Sequence, residues 1–353
     1  RCKDTIAPTG TIAQGVSARQ TNSKGEVYET RYGLKTSERL YGTVVENREG
    51  RGPCYLDTTH ISAEQEAELL KAYLNMAPSQ TLKWLEAGVG PSKQPVEVEG
   101  TEPYIVGGHT ASGYWIDQGR RTTIRGLYAA GDVAGGAPQK YVTGALAEGE
   151  IAAETILADR DRWLQQQRAE EHMQELSGAE GKQSGEQREP EWESLRAAAG
   201  DKAAEYSSYL EREPGLLTIE QLEMTMQKIM DQYAGGISAD YRFNESGLEI
   251  AEQQITRLYR MLEMLSAEDM YDLLKIYEIR ERLIVCQAVI AHLRARKETR
   301  WHSFAENADY PQKDDAWLKY INSRMADGRI ETFARELVKR GAPALDFSQE
   351  VGS

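Results

Sequence analysis

The stretch Gly126-Leu-Tyr-Ala-Ala-Gly131-Asp132-Val-Ala-Gly-Gly136, followed by Gln139-Lys-Tyr-Val-Thr143-Gly144-Ala-Leu-Ala-Glu148-Gly149-Glu-Ile-Ala-Ala, constrains this chain more than any other. It predicts a buried strand ending in Gly-Asp, a glycine pair, and then the N-terminus of an Ala-rich helix. Glycines let a backbone approach another group closely. Asp132 could accept hydrogen bonds from ribityl or ribose hydroxyls, and amides near Thr143 and Gly144 could stabilise negative charge on a reduced ring. The arrangement suits a cofactor with phosphates and a polarisable carbonyl. A strand and a helix packed through glycines, with no ligand, explains the same residues equally well.

Composition sets the limits around that motif. The 353 residues allow two or three domains and a sizeable core. A formal charge of -14 argues against sequence-independent binding to nucleic acid or to an anionic membrane, which depends on clustered Lys and Arg. Solubility is the ordinary reading of the acidity, and an electrostatic role toward a partner subunit is the other. No apolar run is long enough for a transmembrane segment. Cys2, Cys54 and Cys286 are widely spaced with no CxxC pair, so neither a metal site nor a disulfide framework is expected, and a reducing, cytoplasmic compartment is favoured. The chain opens on Arg1-Cys-Lys-Asp rather than Met and reads as a piece of something longer.

Along the chain, residues 1–57 read as short strands and turns, including Glu26-Val27-Tyr28 and Gly42-Thr43-Val44-Val45. Ser62 with Gln65 predicts a capping box, and Leu69, Leu70, Tyr73 and Leu74 recur at helical spacing behind it. Residues 165–191 are Gln-, Glu-, Ser- and Gly-rich and read as an exposed helix end and a loose linker. Three helices are expected beyond it: one capped by Thr218 with Gln221, one over 248–265, and a long one from 266 to 296. Leu273, Leu274, Tyr277, Ile284, Ala288, Ile290 and Leu293 are expected to form the core stripe of the long helix.

The GLYAAGD...GG...A.EG.IAA pattern resembles the second flavin-contacting segment of the fumarate reductase and succinate dehydrogenase flavoproteins. The resemblance implies that Gly131 and Asp132 meet the ribityl and pyrophosphate part of FAD and that the helix at Gly144 points its N-terminus at the ring. No GxGxxG follows an opening strand, so the family's phosphate-binding loop is not in this sequence. Glu102-Pro-Tyr-Ile-Val-Gly-Gly-His109-Thr-Ala-Ser-Gly113, Lys228-Ile-Met-Asp-Gln-Tyr-Ala-Gly-Gly236, Arg296-Lys-Glu-Thr-Arg300-Trp301, Asp309-Tyr-Pro311 and Tyr320-Ile-Asn-Ser-Arg324 are most similar to the adenylylsulfate reductase alpha branch.

That resemblance implies an α+β fold: a partial capping domain (1–100), a closing segment of a FAD-binding domain (101–160), a linker or loose helix (161–195) and a C-terminal helical domain (196–353). It implies reduction of adenylylsulfate, a small anionic substrate, to sulfite and AMP, with electrons from an iron-sulfur partner subunit, since no cysteine cluster here could hold such a centre. His109, in a loop after a Gly-Gly turn, is either structural or, by the family match, substrate-facing. Arg1 resembles an arginine that contacts the anionic substrate. Arg51, in Arg48-Glu-Gly-Arg51-Gly-Pro-Cys-Tyr-Leu-Asp57, resembles the proton donor of fumarate reductases or is a solvated turn arginine. The basic run Arg294 to Arg300 is either a cation-complemented helix end or a set facing acidic groups elsewhere in the whole protein or on a partner. The alternatives are a flavin reductase of unsaturated dicarboxylates and, from another class, a non-catalytic docking fragment.

Overall fold

The computed structural model describes residues 4–5, 12–13, 15–33, 36–100, 112–135, 141–176, 189–300, 302, 305–339 and 345–347. They cluster into two units, one from Arg1–Tyr104, Glu220–Leu262 and Ile279–Arg335, the other from Ile105–Ile219, Glu263–Glu278 and Glu336–Ser353.

Alternating apolar residues build the sheet of the first unit. Strands β1 (Asp4–Thr5), β2 (Arg19–Thr21), β3 (Cys54–Asp57) and β4 (Val96–Glu99) lie in the order β1-β4-β3-β2. β4 is parallel to β1 and antiparallel to β3, with Cys54 opposite Val98 and Leu56 opposite Val96. Those four side chains point to one face and are buried, as the period of two requires. The helices α1 (Thr36–Arg48), α2 (Ala63–Met76) and α3 (Pro78–Ala87) accompany the sheet. Leu40 of α1, Leu69 and Tyr73 of α2 and Trp84 of α3 join its core, with the Tyr73 and Trp84 rings edge to face at 5.1 Å. The expected capping box starts α2: the Gln65 N–H donates to Ser62 Oγ at 3.3 Å, and the Ser62 N–H donates to Gln65 Oε1 at 3.0 Å. Of the four expected apolar positions, Leu69 and Tyr73 are buried, whereas Leu74 is 58% exposed.

Gly42 to Val45, read from the sequence as β-forming, lies inside α1. Leu40, Thr43, Val44 and Glu46 are all buried there, so burial of one helical face overrides the local preference of Thr and Val.

In the second unit, β5 (Tyr114–Trp115) pairs in parallel with β6 (Ala134–Gly135), and α4 (Tyr141–Leu176) and α5 (Glu189–Glu211) follow. The helix of the glycine motif continues to Leu176, into the segment read from the sequence as an exposed helix end and a loose linker. Residues 164–170 of α4 and 193–204 of α5 face solvent on every side described. α5 is anchored near its end, where Tyr209 is buried under the Arg212 guanidinium at 4.2 Å and its carbonyl accepts the Ala267 N–H at 2.8 Å.

Beyond residue 218 come α6 (Ile219–Tyr233), β7 (Arg242–Phe243), α7 (Glu245–Met261) and α8 (Met270–Ala295). Leu222, Met226, Ile229 and Met230 are buried on α6, and Leu248, Ala251, Ile255 and Leu258 on α7, at the spacing of single helical stripes. On α8 the buried residues are Leu273, Ile276, Ile279, Leu283 and Ile290, while Leu274 is 51% and Tyr277 43% exposed. The stripe is rotated from the expected one because apolar residues occur on several faces of this helix. β7 pairs in parallel with β8 (Glu306–Asn307). The chain then forms a two-stranded ribbon, β9 (Lys319–Ala326) and β10 (Arg329–Glu336), within the region expected to be helical. Asp327 and Gly328, with φ 48 and 72, supply the two left-handed residues its turn needs.

The basic run is neutralised inside the chain. Arg294 pairs with Glu245 at 2.8 Å and Glu252 at 2.7 Å, Lys297 with Glu245 at 3.1 Å, and Arg296 and Arg300 both with Glu298 at 2.8 Å. Its ordinary reading also holds in part, since Arg294 lies in the last turn of α8.

Candidate functional site

The glycine motif forms a corner of tight turns rather than the buried strand expected over Gly126–Ala130. The Leu127 N–H donates to the Ile124 carbonyl at 3.1 Å across a turn in which Gly126 takes φ 82. The Thr122 N–H then reaches the Leu127 carbonyl at 2.9 Å, and the Ala129 N–H reaches the Arg120 carbonyl at 3.0 Å. These bonds pair the stretch with residues 120–122 as a short hairpin, so its backbone is satisfied without a ladder on each side, and Leu127 is left 43% exposed.

Gly131 opens a 3-10 turn through Val133 with φ 73. A Cβ on it would stand 3.3 Å from the Ala145 Cβ on α4, so only a glycine combines that backbone angle with such close packing. Gly113, with φ 151, and Gly135 bring two backbones into contact: a Cβ on Gly113 would lie 2.3 Å from the Val133 carbonyl, and one on Gly135 2.7 Å from the Gly113 carbonyl. Asp132 faces solvent beside this cradle, and in the first turns of α4 Thr143 is exposed and Gly144 buried. A solvent-facing carboxylate, a backbone stripped of side chains and the first turn of a helix fit the hydroxyls and negative charge of a dinucleotide-type cofactor such as FAD.

Two consecutive arginines support the corner. Arg120 is bound through Nη2 to Glu148 Oε1 at 3.0 Å and through Nε to the other oxygen. Arg121 holds Asp159 through Nε at 2.6 Å and Nη2 at 2.8 Å, and Asp117 through Nη1 at 3.1 Å. The Arg121 guanidinium keeps the Asp159 carboxyl below the usual carboxylate range. Burial, together with its hydrogen bond to Asp159 at 2.7 Å, pushes the Tyr128 phenol up to about 12. The pairings of Arg120 with Glu148 and of Arg121 with Asp159 were not expected from the sequence, since ion pairs 28 and 38 positions apart leave no local signature.

In the first unit Arg51 sits on a buried carboxylate. Its Nε donates to Glu46 Oε2 at 2.8 Å and its Nη2 to Glu46 Oε1 at 3.1 Å and to the Tyr32 hydroxyl at 2.9 Å, while Nη1 pairs with Glu49. Glu46 also accepts from Arg31 at 2.8 Å, the Tyr32 hydroxyl at 2.6 Å and Asn22 at 3.0 Å. Burial works to raise the Glu46 carboxyl, but the hydrogen bonds from Arg51, Tyr32 and Asn22 outweigh it and hold the group at about 2. Arg1 and His109 lie outside the described residues. Among the described residues no group of three or more His, Cys, Asp or Glu is arranged to hold a metal ion, and no helix is long and apolar enough to cross a membrane.

No family model matches the chain. The alpha subunit of adenylylsulfate reductase from Megalodesulfovibrio gigas is 27% identical to it, over 94% of this chain and 56% of that protein. The structure of adenylylsulfate reductase from Archaeoglobus fulgidus aligns with a TM-score of 0.74 at 26% identity, covering 94% of this chain and 57% of that one. Further relatives carry the names of fumarate reductase and succinate dehydrogenase flavoproteins. The chain is a homologue of these flavoproteins. An uncharacterised FAD-dependent oxidoreductase of Methanocaldococcus jannaschii is 24% identical over 88% of this chain and 53% of that protein. The chain spans a little over half the length of the adenylylsulfate reductases and of the Methanocaldococcus protein, and its fold is the corresponding part of the adenylylsulfate reductase and fumarate reductase fold.

Proposed function

We propose that the chain is part of an FAD-dependent reductase that converts adenylylsulfate to sulfite and AMP, supplied with electrons by an iron-sulfur partner subunit in the cytoplasm. The observation that carries the reading is the glycine-built corner at Gly131 and Asp132 against the first turns of α4, in a chain homologous to adenylylsulfate reductase. FAD, when bound, supplies the electron pair that the S–O bond cleavage consumes. Asp132 accepts hydrogen bonds from the cofactor's hydroxyls, and the amides near Thr143 and Gly144 favour negative charge next to them. His109 and Arg1 position the sulfonate and neutralise its charge, since fixed positive groups stabilise a transferring oxyanion. Residues 1–100 then belong to the capping domain, 101–160 to the FAD-binding domain, 161–195 to a linker or loose helix and 196–353 to a C-terminal domain.

A fumarate-type reduction, with Arg51 as proton donor, is the second reading, supported by the fumarate reductase relatives. We place it second because all three guanidinium nitrogens of Arg51 already face carboxylates or a phenol. The test is oxygen-free mixing of the reduced, full-length protein with each substrate. Flavin reoxidation by adenylylsulfate with release of sulfite and AMP is expected; reoxidation by fumarate alone transfers the assignment to Arg51.

A further inference from the structure

Arg120 has φ 67, a left-handed conformation that favours glycine. Its carbonyl accepts the Ala129 N–H and so fixes the turn that leads into Gly131 and Asp132. Its guanidinium grips both oxygens of Glu148, which lies on the face of α4 shared with Gly144, one turn on. The two side chains are only 12% and 4% exposed. Arg121, next in sequence, grips Asp159, about three turns further along the same face. Adjacent arginines thus pin one face of α4 at two heights, fixing both its rotation and its axial position against the Gly131 turn.

Stability alone does not call for this arrangement. A glycine at position 120 would relieve the backbone, and an apolar residue in place of Glu148 would avoid desolvating an ion pair. We propose that Arg120 and Glu148 are positioning residues, which set the first turn of α4 against the Gly131–Asp132 corner and thereby tune how readily the flavin accepts electrons. The inference rests on the FAD reading above. With the pair intact, the helix N-terminus is held where it stabilises the negative charge of the reduced ring.

The test uses the FAD-loaded, full-length protein and the double variant Arg120→Gly/Glu148→Gln, which removes both charges together and suits the backbone angle. The thermal midpoint should move little. At a fixed applied potential the ratio of reduced to oxidised flavin should fall about tenfold, a shift of about 30 mV for a two-electron couple. Arg120→Lys, which keeps the charge but not the two-oxygen grip, should show part of the shift, and it decides the matter if the double variant does not fold. An unchanged flavin ratio, with or without a lower thermal midpoint, overturns the inference and leaves the FAD reading standing. Wild-type protein that takes up no FAD overturns both.

Discussion

Glu46 shows how a single buried carboxylate organises its surroundings. Its side chain is fully buried, and two arginines, a tyrosine and an asparagine converge on it. Its folded value of about 2 lies below the ordinary glutamate value of 4.5, so its contribution is fully present above about pH 5 and is lost as pH falls toward 2. The size is about 3 kcal/mol. Glu46→Gln should therefore lower stability by about 2–3 kcal/mol at pH 7 and flatten the acid limb of a pH-dependent urea titration. An acid limb that does not change would show that the carboxylate is not held in this way. Gly131→Ala should cost about 1–2 kcal/mol, from the left-handed angle and the contact with Ala145, measured as a shift in denaturation midpoint. Gly131 and Asp132 could be read from the sequence because a glycine next to a carboxylate in a run of small residues is a local pattern. Arg120–Glu148 and Arg51–Glu46 could not, since their pairing exists only once the chain has folded.

At the scale of elements, local chemistry was legible where one side chain answers another a turn away, as in the Ser62–Gln65 box. Ser62→Ala should destabilise α2 by about 1 kcal/mol. Periodicity failed where it was degenerate. α8 carries apolar residues on several faces, and packing selected the stripe through Leu283 over the one through Leu274. Leu283→Ala should accordingly cost about 2–5 kcal/mol and Leu274→Ala about 0.5 kcal/mol or less, as read by chemical denaturation. The ribbon β9–β10 escaped notice because neither of its faces is fully buried, so its sequence lacks a clean apolar alternation. The expected strand at Gly126–Ala130 became a hairpin turn because glycine at 126 favours reversal over extension.

On the scale of the whole molecule, fold and homology point to one group of flavoproteins, and the α+β reading from sequence agrees with the mixture of small sheets and long helices. Cys54 is buried, and burial pushes the Cys286 thiol up to about 11, so both should react slowly with a thiol reagent until the protein is denatured. Rapid labelling of either in the native protein would contradict the packing described. The central claim, that the Gly131–Asp132 corner belongs to an FAD site, is tested most directly by FAD titration of the full-length apoprotein, wild type against Asp132→Ala. Near-stoichiometric uptake by the wild type and affinity at least tenfold weaker in the variant are expected. Equal FAD affinity in the two proteins, or none in the wild type, would contradict it.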